Sequence, residues 1–373
     1  LHTLQRLRQT VIHEGEAIFS EWQSSIERQA FVSSAFNLAH YLALRRHDLR
    51  QLQIALMPWG LSSLGRIEAR VLPNLDAALA TLGAVCHQDP HLLPHRPPLE
   101  AFFEGDRLLR QHTEEVFGNL PDHRQVRIMV TLPTEAADNY EFVRELIQRG
   151  TDCIRINCAH DTSDHWSGMI EHLRRAEAET GRSCKVFMDL GGPKPRLGKV
   201  LLPMNKQRLR QGDKLKLTHE LPTTPAKNTF QANCTIPEIL SQLEVGTRVW
   251  IDDGKIGAKV ESLLPDGVLL LITHARPKGE KLRPDKGINF PDSSLNLCPL
   301  TSKDQRDLDF VAAHADMIGY SFVQKATDIE LLQLELKARL GATWRTPAII
   351  AKIETPEAVR NLPELIVRAA GKQ

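Results

Sequence analysis

The sequence lacks paired cysteines, long apolar runs and an imbalance of charge, and each absence excludes a class of protein. Its six cysteines are scattered without a CxxC pair, which argues against a zinc site or a disulfide framework and predicts reduced, mostly buried thiols. No apolar run approaches the ~20 residues that cross a bilayer, and the first residues lack the apolar stretch of a signal peptide. Lys and Arg number 47 against 46 for Asp and Glu, a formal net charge of +1. We therefore expect a cytoplasmic protein that binds neither nucleic acid nor membranes, with any anion site confined to a local cluster.

The first part of the chain, to about residue 120, shows helical periodicity and almost no strand pattern. The segment His87 to Pro98 is rich in proline and histidine, which predicts a connector between helices. Its histidines are a candidate metal site, but their irregular spacing among prolines favours a solvated linker. We therefore predict an all-helical extension, with helices over Phe31 to Arg46, Leu64 to Leu82 and Leu99 to Phe117.

From Arg127 onward, short apolar runs alternate with amphipathic helices, which is typical of βα units around a parallel sheet. The predicted strands are Ile128 to Leu132, Cys153 to Cys158, Cys184 to Leu190, Met317 to Phe322 and Ala348 to Glu354. Helix starts are predicted from Thr301 with Asp304, from Thr327 with Glu330 and from Thr355 with Pro356. Five strands do not close an eight-stranded barrel, so the chain is predicted to be a C-terminally incomplete fragment.

Between Gly192 and about Gly287 the alternation gives way to short strands and Pro or Gly turns, with helix only near Ile236 to Leu243. This pattern predicts a small β domain inserted into the barrel. The predicted fold is an α/β, partial (β/α)8 TIM barrel with an inserted all-β lid and an N-terminal all-helical extension. The predicted domains are the extension at 1–120, the barrel at 121–193 and 288–373, and the lid at 194–287.

Polar side chains at the carboxyl ends of the predicted strands mark the place where the site of such a barrel forms. On the second strand, Arg155 and Asn157 share one face, because side chains alternate along a strand. A buried arginine is costly without an anionic partner. Arg155 therefore indicates either an anionic ligand or a structural ion pair.

The third and fifth strands supply the rest of the candidate site. Asp189 precedes the turn GGPK at 191–194, where glycines allow a ligand to approach the backbone. On the fifth strand, Lys352 and Glu354 share a face. A lysine beside a carboxylate in a dry site suits phosphoryl transfer, in which the ammonium neutralises developing charge and the carboxylate holds Mg²⁺. A buried ion pair is the alternative interpretation.

Five motifs occur in the order in which pyruvate kinases carry their counterparts, and the chain resembles that family from Arg127 to Val359. The motifs are RINCAHD, MDLGGPKPR, IDDGKIGA, KGINFPD and IIAKIETPEAV. The resemblance implies a glycolytic transferase that moves the phosphoryl group of phosphoenolpyruvate to ADP, giving pyruvate and ATP, with Mg²⁺ as cofactor. It also implies that the β domain closes over the site as a lid and that the full-length protein is a homo-oligomer.

The resemblance also assigns roles to individual residues. Lys352 would stabilise the transferring phosphoryl group and the enolate oxygen. Arg155 and Arg196 would contact phosphates, and Glu354 would bind Mg²⁺.

On the nucleotide side, the resemblance places His160 near the nucleotide. From the lid, Asp252 or Asp253 and Lys286 would reach the nucleotide and the metal. A solvated turn is an alternative interpretation of Asp252 and Asp253.

The chain departs from the family pattern at a monovalent-cation pocket to which the resemblance assigns Asn157 and Asp189. Ala159 stands where potassium-dependent members carry a hydroxyl ligand, Leu190 replaces a hydroxyl residue, and Lys194 replaces the usual acidic residue. We therefore predict that potassium is not required, with the Lys194 ammonium in its place. A solvated loop lysine is the alternative.

Three functions remain open from the sequence. The first is pyruvate-kinase-like transfer, with this chain inactive alone because the glycine-arginine-glycine-aspartate motif that supplies a second metal-binding carboxylate is missing. The second is a Mg²⁺-dependent barrel aldolase or lyase acting on a pyruvate enolate, which would lack the inserted lid. The third is a non-catalytic relative that uses the helical extension as an interaction module.

Overall fold

The structure is a computed structural model that describes residues 1–61, 64–121, 124–293, 297–344 and 347–372. The chain forms an N-terminal group of helices, a curled five-stranded parallel sheet flanked by helices, and a seven-stranded sheet inserted after the third parallel strand. The predicted fold class, a partial barrel with an inserted β lid and a helical extension, is confirmed. Within the described ranges, no helix is both long enough and apolar enough to cross a membrane.

The first four helices of the N-terminal region share an apolar core. Its helices are α1 (His2–Gln23), α2 (Val32–Arg45), α3 (Arg50–Leu56), α4 (Val71–Val85) and α5 (Glu104–Phe117). Leu4 and Val11 of α1 pack with Leu44 of α2 and with Leu75 and Leu79 of α4, and all five side chains are fully buried. The predicted all-helical character is therefore correct, although the sequence analysis did not single out α1.

The helix predicted from Leu64 begins only at Val71, two residues before Pro73. Proline is tolerated in the first turn of a helix, where its missing N–H has no intrahelical partner to lose. A helix that began at Leu64 would have placed Pro73 in its interior, where the ring clashes with the carbonyl four residues earlier. The spacing of apolar residues alone therefore predicted the start of this helix too early.

The first part of the barrel alternates strands and helices. Its elements are β1 (Met129–Thr131), α6 (Tyr140–Gln148), β2 (Cys153–Asn157), α7 (Ser163–Thr180) and β3 (Lys185–Asp189). Ile154 and Ile156 are buried beneath the helices, whereas Arg155 and Asn157 point to the other face and are half-buried. The predicted alternation along this strand is confirmed.

The lid follows β3 and has a core of its own. Its strands are β4 (Leu197–Leu201), β5 (Lys214–Thr218), β6 (Phe230–Cys234), β7 (Arg248–Ile251), β8 (Ile256–Leu264), β9 (Gly267–His274) and β10 (Ile288–Asn289), in the sheet order β10-β7-β8-β9-β5-β6-β4. The helix predicted near Ile236 is a 3-10 helix, Pro237–Gln242. Ile288 pairs with Ile251, and Phe290 joins the lid core, so the lid sheet runs past the predicted boundary at residue 287.

The chain then returns to the barrel. The remaining elements are α8 (Ser302–His314), β11 (Met317–Tyr320), α9 (Ala326–Leu340), β12 (Ala348–Ala351), α10 (Pro356–Arg360) and α11 (Leu362–Lys372). The parallel sheet has the order β1-β2-β3-β11-β12, so β11 lies beside β3 although the lid separates them in sequence. Each strand is added next to its predecessor, as expected for consecutive βα units.

The start of α9 differs from the prediction. Instead of Thr327 with Glu330, the helix is capped by Asp328, whose carboxylate accepts from the backbone N–H groups of Gln324 and Lys325 at 2.8 and 2.9 Å. A short carboxylate three residues into a helix reaches back to these donors. The predicted caps at Thr301 and Thr355 are confirmed by their hydrogen bonds to the backbone N–H groups of Asp304 and Ala358.

The helical extension packs against the amino end of the parallel sheet. Val116 and Phe117, at the end of α5, contact Cys153, Phe187 and Met317 on the inner face of the sheet. The backbone N–H groups that follow α1 also bond to the last helix, from residues 27 and 28 to the carbonyl of residue 371 at 2.9 and 2.8 Å. The extension therefore covers the end of the sheet opposite to the one that carries the candidate site.

Candidate active site

The carboxyl end of the parallel sheet carries a set of polar side chains to which every strand contributes. We call this set the strand-end cluster, and its members are Thr131 from β1, Arg155 and Asn157 from β2, Asp189 from β3, Ser321 just after β11, and Lys352 and Glu354 just after β12. The sheet register brings them together, since Asn157 pairs with Asp189 and Asp189 pairs with Gly319. The site thus lies where parallel strands end, as in other barrels.

Asp189 is the centre of the cluster and is 2% exposed. Its Oδ2 accepts from Nε and Nη2 of Arg155 at 2.9 and 2.6 Å. Nζ of Lys352 lies 3.1 Å from its Oδ1 and 3.2 Å from its Oδ2. One buried carboxylate therefore pairs with two cations. This pairing offsets the cost of removing the carboxylate charge from water.

The arginine on the inner face of β2 has the anionic partner that its burial demands. Besides the bonds to Asp189, its Nη1 donates to Oγ1 of Thr131 at 3.1 Å. The Arg155 side chain stays 27% exposed. The ion pair and the ligand contact, which the sequence left as alternatives, are compatible, because the guanidinium is fixed by protein groups on one side and open to solvent on the other.

Lys352 is fixed from several directions. It donates to Oγ of Ser321 at 2.8 Å, and its Nζ lies 3.7 Å from Oε1 of Glu354. The strand predicted to reach Glu354 ends at Ala351. Lys352 still donates its backbone N–H to the carbonyl of Tyr320, and the other carboxylate oxygen of Glu354, Oε2, accepts from the backbone N–H of Phe322 at 3.0 Å.

Thr131 and Ser321 are members of the cluster that the sequence analysis missed. Ser321 is 2% exposed and donates to the carbonyl of Leu190 at 2.8 Å. The same alternation that placed Arg155 on the inner face assigns Gly319 and Ser321 to that face of β11. Applying it to every predicted strand would have found the serine.

Gly319 is required by the buried carboxylate beside it. A Cβ at this position would lie 2.5 Å from Oδ1 of Asp189, well inside van der Waals contact. The lack of a side chain on β11 therefore leaves the space that the Asp189 carboxylate occupies.

The predicted site residues of the lid and of the nucleotide side lie outside the strand-end cluster. Nη1 of Arg196 donates to the carbonyl of Asp285 at 2.9 Å, while Lys286 pairs with Asp252 at 3.2 Å. His160 and Asp253 are exposed. The backbone N–H of His160 donates to the carbonyl of Asn157 at 3.1 Å, but within the described part of the chain no side chain of Arg196, His160, Asp253 or Lys286 makes a hydrogen bond or ion pair to the cluster.

A family model for the barrel domain of pyruvate kinase matches residues 123–372, well over half of the chain. The chain belongs to the pyruvate kinase family. The matched range contains the whole strand-end cluster, both parts of the parallel sheet and the inserted lid. The resemblance drawn from five short motifs is thereby confirmed.

Curated pyruvate kinases match the same part of the chain. The protein named pyruvate kinase 2 of Synechocystis sp. is 30% identical over 254 residues, which are 67% of this chain and 41% of that protein. The pyruvate kinase of Mycobacterium tuberculosis is 31% identical over 246 residues, 65% of this chain and 49% of that protein. Human pyruvate kinase PKLR is 29% identical over 252 residues, which are 65% of this chain and 42% of that protein. The chain spans about half the length of the curated relatives it matches.

None of the six cysteines of this pyruvate kinase family member belongs to the strand-end cluster. They form no disulfide, and four are buried while Cys86 and Cys298 are exposed. Burial raises the pKa of Cys153 to about 12 and also raises that of Cys158. Both thiols are therefore protonated at neutral pH, and the prediction that most cysteines are buried is confirmed.

A magnesium ion is implied by the family, and the cluster offers it few ligands. Within the described ranges, no group of three or more His, Cys, Asp or Glu side chains is placed to hold a metal ion. Mg²⁺ commonly binds through one or two carboxylates, with substrate phosphates and water completing its shell. Glu354 fits that use, since its side chain is 34% exposed and one of its oxygens makes no backbone bond. Asp189 fits less well, because cations already face both of its oxygens.

Replacing Asp189 by asparagine is expected to lower the free energy of unfolding by about 2–4 kcal/mol. Removing one partner of a buried ion pair typically costs about 3–5 kcal/mol, and the partial exposure of Arg155 and Lys352 reduces that cost. Guanidinium denaturation of the 373-residue chain measures it.

The control is Asp309→Asn, which removes a carboxylate that pairs with Arg339 but is 75% exposed. An exposed pair contributes about 0–1 kcal/mol. Equal losses in the two variants would contradict the central place given to Asp189.

Proposed function

We propose that the protein transfers the phosphoryl group of phosphoenolpyruvate to ADP, giving pyruvate and ATP, at the strand-end cluster. The observation that carries the proposal is that Lys352 and Arg155 share one buried carboxylate at the carboxyl edge of the sheet and remain partly exposed. Two fixed cations at that edge suit an anionic substrate. Membership of the pyruvate kinase family supports the same reaction.

Lys352 is the proposed catalytic cation. An ammonium has three N–H donors. One is shared between the two oxygens of Asp189 and one is donated to Oγ of Ser321, so the third is left for a substrate oxygen. The ammonium neutralises negative charge on the transferring phosphoryl group and on the enolate oxygen. Because its position is fixed before substrate arrives, little reorganisation is needed during the reaction.

Arg155 is the proposed phosphate ligand beside it. A guanidinium has five N–H donors, of which one on Nε, one on Nη2 and one on Nη1 bond to Asp189 and Thr131. Two remain for phosphate oxygens. The geometry of a guanidinium suits phosphate better than that of an ammonium.

Glu354 is the proposed ligand for Mg²⁺, which when bound supplies positive charge to phosphate oxygens. Asp189 mainly orients Lys352 and Arg155 in this proposal. Asn157, whose Oδ1 accepts from the backbone N–H of Ala159 at 3.2 Å, lines the monovalent-cation pocket beside it.

The lid is proposed to bring Arg196, Lys286 and Asp252 or Asp253 to a nucleotide near His160. Its two connections to the barrel run side by side, since Leu197 donates to the carbonyl of Lys286 at 2.8 Å. Paired connections allow a domain to move as a unit. The domain division at 1–120, 121–193 with 288–373, and 194–287 stays a prediction, with the end of the lid sheet shifted as described above.

An aldolase or lyase is disfavoured by the β sheet that lies between β3 and α8. Incubating a longer protein that contains this chain and closes the barrel with Mg²⁺, phosphoenolpyruvate and ADP tests the proposal. We expect equal amounts of pyruvate and ATP. Cleavage of a 4-hydroxy-2-oxo acid without any ATP formation would overturn the proposal in favour of the lyase.

The same longer protein is expected not to require potassium. Ala159 offers no side-chain oxygen, and the Lys352 ammonium already lies against Asp189 and Ser321. Lys194, which is predicted to replace the ion, lies close to Gly287 in the connection between the lid and the barrel. A Cβ added at Gly287 would be 2.9 Å from Cε of Lys194. Its own role stays a proposal.

Activity in sodium and in potassium buffers of equal ionic strength measures the requirement. A rise of tenfold or more with potassium, about 1.4 kcal/mol of barrier, would contradict the prediction. Lys194→Glu with Ala159→Ser is the variant expected to gain potassium dependence.

A further inference from the structure

The lid contains a cavity of about 280 Å³ whose eight lining side chains are all charged. Two are the carboxylates Asp252 and Glu280. The other six are cationic, and they are Arg208, Lys255, Arg276, Lys281, Arg283 and Lys286. We call this cavity the lid basin. It holds an excess of four positive charges in a chain whose formal net charge is only +1.

The two carboxylates of the lid basin are already neutralised by its own cations. Asp252 pairs with Lys255 at 3.1 Å and with Lys286 at 3.2 Å. Burial acts to raise the pKa of Asp252, but these two hydrogen bonds outweigh it and lower the pKa. Glu280 is bound by Nη2 of Arg276 at 2.9 Å, and this hydrogen bonding lowers the pKa of Glu280.

Two cations of the basin have no such partner. Lys281 and Arg283 are exposed, and within the described part of the chain neither side chain makes a hydrogen bond or an ion pair. Among the described residues, the one hydrogen-bond partner of the Arg208 side chain is the backbone carbonyl of Gly279, at 3.0 Å. Like charges gathered in a concave surface repel one another and concentrate counter-ions of the opposite sign.

The lining also limits what the ligand can be. The volume lies just below the range for ligand pockets, about 300–1,000 Å³. No aromatic or apolar side chain lines the basin to hold a nucleobase or an acyl chain. Arginine and lysine together suit phosphate oxygens. The matching ligand is a small, multiply charged phosphate anion.

We propose that the lid basin binds a phosphate chain, either free or as the tail of a nucleotide, independently of the strand-end cluster. Asp252 and Lys286 already have a role in the proposed function, whereas Lys281, Arg283, Arg208 and Arg276 have none. The basin therefore adds an anion site that the transfer reaction does not require. Its occupant competes for Lys286 with any ligand at the barrel.

Calorimetric titration of the 373-residue chain with inorganic pyrophosphate, without divalent metal and at constant ionic strength, tests the proposal. The double variant Lys281→Ala with Arg283→Ala is expected to bind at least tenfold more weakly, about 1.4 kcal/mol. The charge-matched control is Lys199→Ala with Lys227→Ala, two exposed lid lysines outside the basin, and it is expected to bind as the parent does. Exchanging the cations, Lys281→Arg with Arg283→Lys, is expected to retain binding.

Further arms of the titration show which part of a nucleotide the basin recognises and which of the two sites binds pyrophosphate. ADP and pyrophosphate are expected to bind with similar affinity and adenosine not at all. Lys352→Met is expected to leave pyrophosphate binding unchanged, so the result does not depend on whether the proposed reaction occurs. Absence of pyrophosphate binding, an unaffected double variant, loss of binding in Lys352→Met or equally tight binding of citrate would each overturn the proposal.

Discussion

Replacing Lys352 by methionine is expected to lower kcat for pyruvate formation by about 10²–10³-fold in a longer protein that closes the barrel. Methionine keeps most of the length of the side chain but removes the charge. Loss of one preorganised donor at a site of developing charge typically costs about 2.7–4 kcal/mol. The fold is expected to persist, because Asp189 keeps its two bonds from Arg155.

Measuring kcat and KM separately shows where the loss falls. A reduced kcat with little change in KM for phosphoenolpyruvate indicates an interaction made in the transition state. Lys185→Met is the matched control, since Lys185 is a partly exposed lysine at the opposite end of β3 that pairs with Asp316 at 3.5 Å. A folded Lys352→Met variant with the turnover of the parent would contradict the role given to this lysine.

The strands, and the face of the sheet on which each side chain lies, could be predicted from sequence because the signals for them are local. Alternation along β2 correctly separated Arg155 from the buried isoleucines, and the caps at Thr301 and Thr355 were recognisable within four residues. Errors arose where two local patterns competed, as at α4, where apolar spacing suggested a helix through Pro73.

The pairing inside the cluster did not follow from local sequence. The burial of Arg155 indicated an anionic partner, but no neighbouring sequence feature identified that partner as Asp189, which is 34 residues away. Lys352 lies 163 residues from the same carboxylate, and only the sheet order brings the two together. The charged lid basin was also missed, since its lining comes from separate segments of the lid.

The 373-residue chain alone is expected to turn over phosphoenolpyruvate at least about 10³-fold more slowly than an ordinary enzyme rate of about 10 s⁻¹. Its sequence lacks the motif to which the family resemblance assigns a second metal-binding carboxylate. The described sheet also has two open edges, at β1 and β12. Met129 on β1 is 42% exposed, and Ile353, just after β12, is 37% exposed. Exposed edges and apolar side chains favour association, so the chain is expected to aggregate more readily than a closed barrel.

Pyruvate formation by this chain and by a longer protein that closes the barrel, compared under the same conditions with Mg²⁺, phosphoenolpyruvate and ADP, tests whether the chain alone holds a complete site. Light scattering of both samples controls for aggregation. We expect turnover on the order of 10 s⁻¹ for the longer protein and none above background for the soluble fraction of the chain alone. An ordinary rate from the chain alone would contradict the claim that it holds only part of the site. No pyruvate from a folded longer protein would contradict the proposed reaction itself.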